Sequence, residues 1–178
     1  FIEPLVGFGV MVDPATGKRF VKETGNRKVR ADAIVALGHP ALLYVAEENF
    51  RNQIPKNMTA TQIDSLLSNK VVRKFNTLKE LADFYKIPFA ALEETNNKMN
   101  GYIKNKKDPD FGCQFFDDSK PNIKGPFYAC RLWPRVHHTM GGLEINAKAQ
   151  VVNARGQVIP GLYAAGEVTG GVHGMVRL

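Results

Sequence analysis

The feature that most constrains the fold of this 178-residue chain is a change of period part-way along it. From Thr59 to about Asn105 the apolar side chains recur three or four positions apart, at Ile63, Leu66 and Leu67 and then at Leu92, Thr95, Met99 and Ile103, the spacing of helices packed through one stripe. After the Lys106-Lys107-Asp108-Pro109-Asp110 loop that period disappears. Phe127–Trp133, Leu143–Asn146, Ala149–Val152 and Gln157–Ile159 read as short strands cut by Gly, Asn and Pro. The expectation is an α+β protein dividing near residue 125: a mixed region at 1–125, and a β-rich region at 126–178 ending in glycines.

Local signals add detail. Gly9–Val12 and Lys18–Val21 flank the turn Asp13-Pro14-Ala15-Thr16-Gly17, a predicted hairpin. Ala31–Leu37 reads as a helix with Gly38 as its C-cap, and Ala41–Ala46 as a buried strand. Thr77-Leu78-Lys79-Glu80 has the form of a capping box opening a helix that ends near Tyr85. Pro88 stands at or near the first position of the next helix. No run approaches the length of a membrane span, because Ala33–Ala46 is broken by Gly38, His39 and Pro40.

A net charge of +7, from 24 basic and 17 acidic residues, fits a nucleic-acid binder, a groove for a small dianion, or a solvated basic face. No recognition helix or stacking-aromatic motif accompanies the charge, so no nucleic-acid partner is expected. Cys113 and Cys130 lack metal-ligand spacing, and no metal is expected. They fit a disulfide or two buried thiols equally well.

Three segments carry chemistry. In His137-His138-Thr139-Met140-Gly141-Gly142, paired glycines allow close backbone approach to a flat ligand, beside an imidazole and a hydroxyl suited to a carboxylate. In Gly161-Leu162-Tyr163-Ala164-Ala165-Gly166-Glu167-Val168-Thr169-Gly170-Gly171-Val172-His173-Gly174, one acidic side chain follows a small-residue turn and precedes a glycine-rich loop. Glu167 suits ligand hydroxyls, and the loop amides suit anionic or carbonyl oxygens. The third is Gly17–Arg27, where an arginine lies between a strand and a helix.

Together these segments resemble the flavoprotein subunit of soluble, flavocytochrome c-type fumarate reductases, relatives of succinate dehydrogenase. The resemblance rests on His137–Gly142, on Ile159–Gly174 followed by Arg177, and on Gly17–Glu23 with Arg27 four residues on. The helical middle, including Asp108-Pro109-Asp110-Phe111, resembles that family's capping domain more loosely. The resemblance implies a capping (substrate-clamp) domain at 1–125 and the C-terminal part of an FAD-binding domain at 126–178, with both ends cut from something longer.

It also implies FAD as cofactor, and hydride transfer from flavin N5 to an unsaturated acid such as fumarate. Arg27 would donate the proton and Glu3 would be a relay carboxylate. His137, Thr139 and Arg177 would hold the substrate carboxylate, and Gly166, Glu167, Gly170 and Gly171 would contact the flavin. Where the family has a second relay arginine this chain has Val6, and Met175-Val176 stand where it has a small residue and Asn. Urocanate, acrylate or a cinnamate are alternative substrates under the same chemistry, and a non-catalytic capping fragment is an alternative of another class. No dinucleotide fingerprint occurs in the chain, so weak flavin binding and little activity are expected of it alone. The electron donor, a haem domain or a reduced carrier, would lie on another segment or chain, since no CxxCH occurs here. Periplasm and cytoplasm both remain open.

Overall fold

The computed structural model describes residues 5–135, 139–171 and 174, and the chain falls into two compact units, 1–134 and 135–178. The first is built on a five-stranded antiparallel sheet. Its strands are β1 (Val10–Asp13), β2 (Lys18–Arg19), β3 (Ala41–Ala46), β4 (Arg73–Phe75) and β5 (Phe127–Leu132), in the order β2-β1-β3-β5-β4. The helices are α1 (Arg27–Leu37), α2 (Glu47–Gln53), α3 (Ala60–Ser68), α4 (Leu78–Tyr85) and α5 (Phe89–Asn105).

The unbroken apolar sequence of β3 explains its central place. Strand side chains alternate between faces, so a strand apolar throughout must be covered on both. Leu42, Tyr44 and Ala46 join Val10, Val12, Leu81, Leu92, Met99 and Ile103 in a core under α4 and α5. Ala41, Leu43 and Val45 face the other way, with Met11, Ile34, Phe50 and Ile54 in a second core under α1 and α2. The fold is thus α+β, as expected, with the sheet between two helical layers.

The predicted hairpin forms as β1 and β2, though β2 stops at Arg19 rather than Val21. Gly38 takes the left-handed conformation that ends α1, at φ 75°. The expected capping box at Thr77 is only half made: Thr77 accepts from the Glu80 amide, but the Glu80 carboxylate takes the amide of Asn76 instead. A complete box forms at Thr59 and Gln62, opening α3. Pro88 is the N-cap of α5, one place before its first turn. Sequence reading gave no account of α2 or β4. The former is polar, with only Phe50 as a large apolar anchor, and the latter is a three-residue edge strand.

The domain boundary is also displaced. Composition put it near 125, yet Phe127–Leu132 pairs with β3 and with β4 inside the first unit's sheet. A strand obeys its hydrogen-bonded neighbours, which local composition does not reveal. The second unit holds β6 (Gln150–Val152) and β7 (Val158–Tyr163), an antiparallel pair, then a 3-10 turn at Gly166–Val168. Leu143 bridges to Thr169 and Ile145 to Val151. Among the described residues no helix is long and apolar enough to cross a membrane.

Candidate active site

In the first unit the geometry centres on the stretch between β2 and α1. Arg19 is buried, with both carboxylates of Glu23 and Asp108 on its guanidinium. Its Nε and Nη2 donate to Glu23 Oε1 and Oε2 at 2.8 and 2.6 Å, and Nη1 and Nη2 donate to Asp108 Oδ1 and Oδ2 at 3.2 and 2.7 Å. Such two-pronged pairs fix orientation as well as charge. Glu23 Oε1 also accepts from the Met11 amide, and Asp108 accepts from the amides of Asp110, Phe111 and Cys113. The network therefore pins the 108–113 loop against the hairpin, 89 residues away in sequence.

Burial alone would raise the Asp108 carboxyl, but the Arg19 ion pair and the Cys113 amide outweigh it and hold the group down at about 2. Burial pushes the Cys113 thiol up to about 11, helped by the neighbouring Glu23 charge, and the Sγ–H donates to Glu23 Oε2 at 3.0 Å. Cys113 and Cys130 are both free and buried, which settles the two readings in favour of thiols. Glu23, Asp108 and Cys113 bring ligand atoms close enough to surround a cation. Arg19 is that cation. The sequence signals were Arg19 and Glu23 four residues apart and an acidic turn at 108–110, but nothing in spacing joins the two.

This anchor holds the segment from which Arg27 projects. Gly25 closes a turn onto the Lys22 carbonyl, where an added Cβ would stand 2.9 Å from that oxygen. Asn26 then caps α1, its Oδ1 accepting from the Lys28 amide at 2.8 Å. Arg27 is the exposed first residue of α1, and the first turn carries no acidic side chain. The positive end of the helix and the adjacent arginine make this corner a favourable position for an anion. Val6 lies half-buried in the Leu5–Gly9 turn, and Glu3 lies outside the described residues.

In the second unit, two of the segments singled out by sequence meet. The Thr139 amide donates to Glu167 Oε1 at 3.0 Å. Leu143 pairs with the stretch after Glu167, its amide on the Val168 carbonyl and its own carbonyl taking the Gly170 amide. Approach is so close at Gly142 that a Cβ there would lie 2.2 Å from the Val168 carbonyl oxygen. Gly166 and Gly171 adopt φ of 82° and 87°, and among the described residues, chain neighbours aside, no atom lies within 4 Å of where a Cβ would point. His137 and Arg177 lie outside the described residues.

Open, side-chain-free backbone at Gly166 and Gly171, beside a carboxylate with capacity for further donors, can lie against a flat ring system and accept hydroxyls. These residues fit part of a flavin dinucleotide site, and the class, an α+β flavoprotein segment, is shown by the family match. The sequence matches the family described as FAD binding domain over residues 5–178, and the chain belongs to that family. Its cofactor is FAD.

Among known proteins, it is 38% identical over 176 residues to the acrylate reductase flavoprotein subunit of Shewanella woodyi, covering 95% of this chain and 33% of that protein. It is also 38% identical over 181 residues to the fumarate reductase (cytochrome) of Shewanella frigidimarina, covering 99% and 29%. The open conformation of a flavocytochrome c3 fumarate reductase aligns with a TM-score of 0.72 at 31% identity, over 99% of this chain and 30% of that one. The chain thus spans about a third of the length of these relatives.

Proposed function

We propose that the protein to which this chain belongs reduces the double bond of an α,β-unsaturated carboxylate, with residues 1–134 serving as a substrate-clamping domain and 135–178 as part of the FAD domain. The carrying observation is the exposed Arg27 at the start of α1, set by the Asn26 cap and by the buried Arg19–Glu23–Asp108 anchor. The named activities of the two relatives, acrylate and fumarate reduction, support the substrate class.

When bound, reduced FAD would supply the hydride, from N5. The chain's own residues do the rest. Arg177 and His137, with Thr139, hold a carboxylate of the substrate and polarise the alkene, the arginine through a bidentate fork. Arg27 gives a proton to the carbon opposite the one attacked. An arginine normally stays protonated, with a pKa above about 12, so transfer belongs to the transition state and needs immediate replacement, through Glu3. Gly166, Glu167, Gly170 and Gly171 would hold the cofactor. The electron donor is a haem domain or a reduced carrier outside this segment.

A second reading keeps this chemistry but takes a monocarboxylate such as acrylate. Val6 favours it, because the relay arginine of the fumarate enzymes is replaced by an apolar side chain, leaving water to complete the relay. The test is turnover of fumarate, acrylate and urocanate by the intact flavoprotein, with reduced viologen as donor, beside Arg27→Ala. Loss of at least about a hundredfold in turnover with flavin retained is expected for a missing general acid. Full activity in the variant would overturn the role of Arg27. Preference for acrylate over fumarate would decide for the second reading.

A further inference from the structure

A cleft of about 410 Å³ opens at the β4 edge of the sheet and is lined by Lys70, Val71, Arg73, Phe84, Tyr85 and Arg131, none of which has been given a role above. Its size falls within the range of small-molecule sites, roughly 300–1,000 Å³. Arg73 pairs opposite Ala129, which puts Arg131, two residues further along β5, on the same face and diagonally adjacent. Like charges set this way repel. Four exposed helical cations elsewhere are each paired with an acid one turn away: Lys28 with Asp32, Arg51 with Glu47, Lys79 with Asp83 and Lys98 with Glu94. Among the described residues no acidic side chain takes part in the lining of the cleft.

Both guanidinium groups lie instead over aromatic rings of α4. Arg73 Cζ stands 4.7 Å from the Phe84 centroid, and Arg131 Cζ stands 5.6 Å from that of Tyr85. This arrangement orients the two forks while leaving their N–H edges available. Phe84 and Val71 are 49% and 55% exposed, so the cleft also offers apolar surface to a ring. Burial and then Cys130 raise the Tyr85 phenol, and the charges of Arg73 and Arg131 oppose that rise.

We infer that this cleft binds a small planar aromatic anion of the mononucleotide class, its phosphate taken by Arg73, Arg131 and Lys70 and its ring laid on Phe84 and Val71. The experiment is calorimetric titration of the intact, flavin-loaded protein with AMP, inorganic pyrophosphate and adenosine at low salt. AMP is expected to saturate at one per chain, more tightly than either fragment of its chemistry. Arg73→Gln/Arg131→Gln should weaken AMP by at least about tenfold, as loss of charge-assisted pairs requires.

Phe84→Ala should weaken AMP and leave pyrophosphate unchanged. If the double variant does not fold, the change Lys70→Gln at an exposed position carries the same test with a smaller expected loss. Absence of saturable AMP binding, or an affinity unchanged in the arginine and lysine variants, overturns the proposal. Pyrophosphate binding as tightly as AMP, with Phe84→Ala neutral, overturns the aromatic part of the assignment.

Discussion

At the scale of single residues, the most consequential group outside the proposed chemistry is Asp108. Its carboxyl sits at about 2 in the fold against an ordinary 3.8, because Arg19 and three backbone amides favour the charged form. A depressed carboxylate contributes stability that is whole above its unfolded value and is lost as pH falls toward its folded value. The contribution, on the order of 2 kcal/mol, should disappear between about pH 4 and pH 2. Asp108→Asn removes one partner of a buried pair and leaves Arg19 undercompensated, a cost of roughly 3 kcal/mol or more. Urea midpoints measured from neutral to acid pH should show the variant less stable at neutrality and with a flatter acid limb. A wild-type slope retained in the variant would assign the acid sensitivity to other carboxylates.

At the scale of elements, the stretch after α5 is irregular yet ordered, and asparagines hold it. Asn122 is fully buried. Its Oδ1 accepts from the Ala46 amide and from Asn49, its Nδ2 donates to the Phe8 carbonyl, and its backbone carbonyl accepts from Asn96 and Asn100. Its amide donates to Asn100 Oδ1. One residue thereby ties β3, α2, α5 and the Leu5–Gly9 turn to a segment with no ladder of its own. Asn122→Ala would strand the Ala46 amide and leave the Phe8 carbonyl with the longer bond from Asn49; a buried amide without a partner costs roughly 1–3 kcal/mol. Thermal unfolding should show the loss, together with earlier proteolysis of the 115–122 segment; an unchanged melting temperature would mean that water replaces the side chain at no cost.

At the scale of the whole molecule, burial is distributed unevenly between the units. Both hydrophobic clusters are built from residues between Leu5 and Leu132. In the second unit, among the described residues, Val151 is the buried apolar side chain, while Val158, Ile159, Leu162, Tyr163 and Val168 are exposed. Without a core, a small unit cannot offset its conformational entropy. Residues 1–134 expressed alone should therefore unfold cooperatively with native-like circular dichroism, and residues 135–178 alone should not. A cooperative transition from the shorter fragment would refute this assignment of stability.

Much of the framework was legible before any coordinates. The all-apolar Ala41–Ala46 had to be a strand covered on both faces, the Asp13–Gly17 turn had to reverse the chain, and the 3.6-residue stripe of α5 had to face a core, since each signal is local. The pairing of Thr139 with Glu167 could be anticipated only as two glycine-rich segments of similar character. What the tertiary structure alone decided are the long-range meetings: β5 joining the first unit, Asp108 and Cys113 arriving at Arg19 and Glu23, and Arg73 and Arg131 gathering beneath α4. Hydrogen-bonded pairing and buried charge compensation act between residues distant in sequence, and no period or spacing along the chain encodes which partner will arrive.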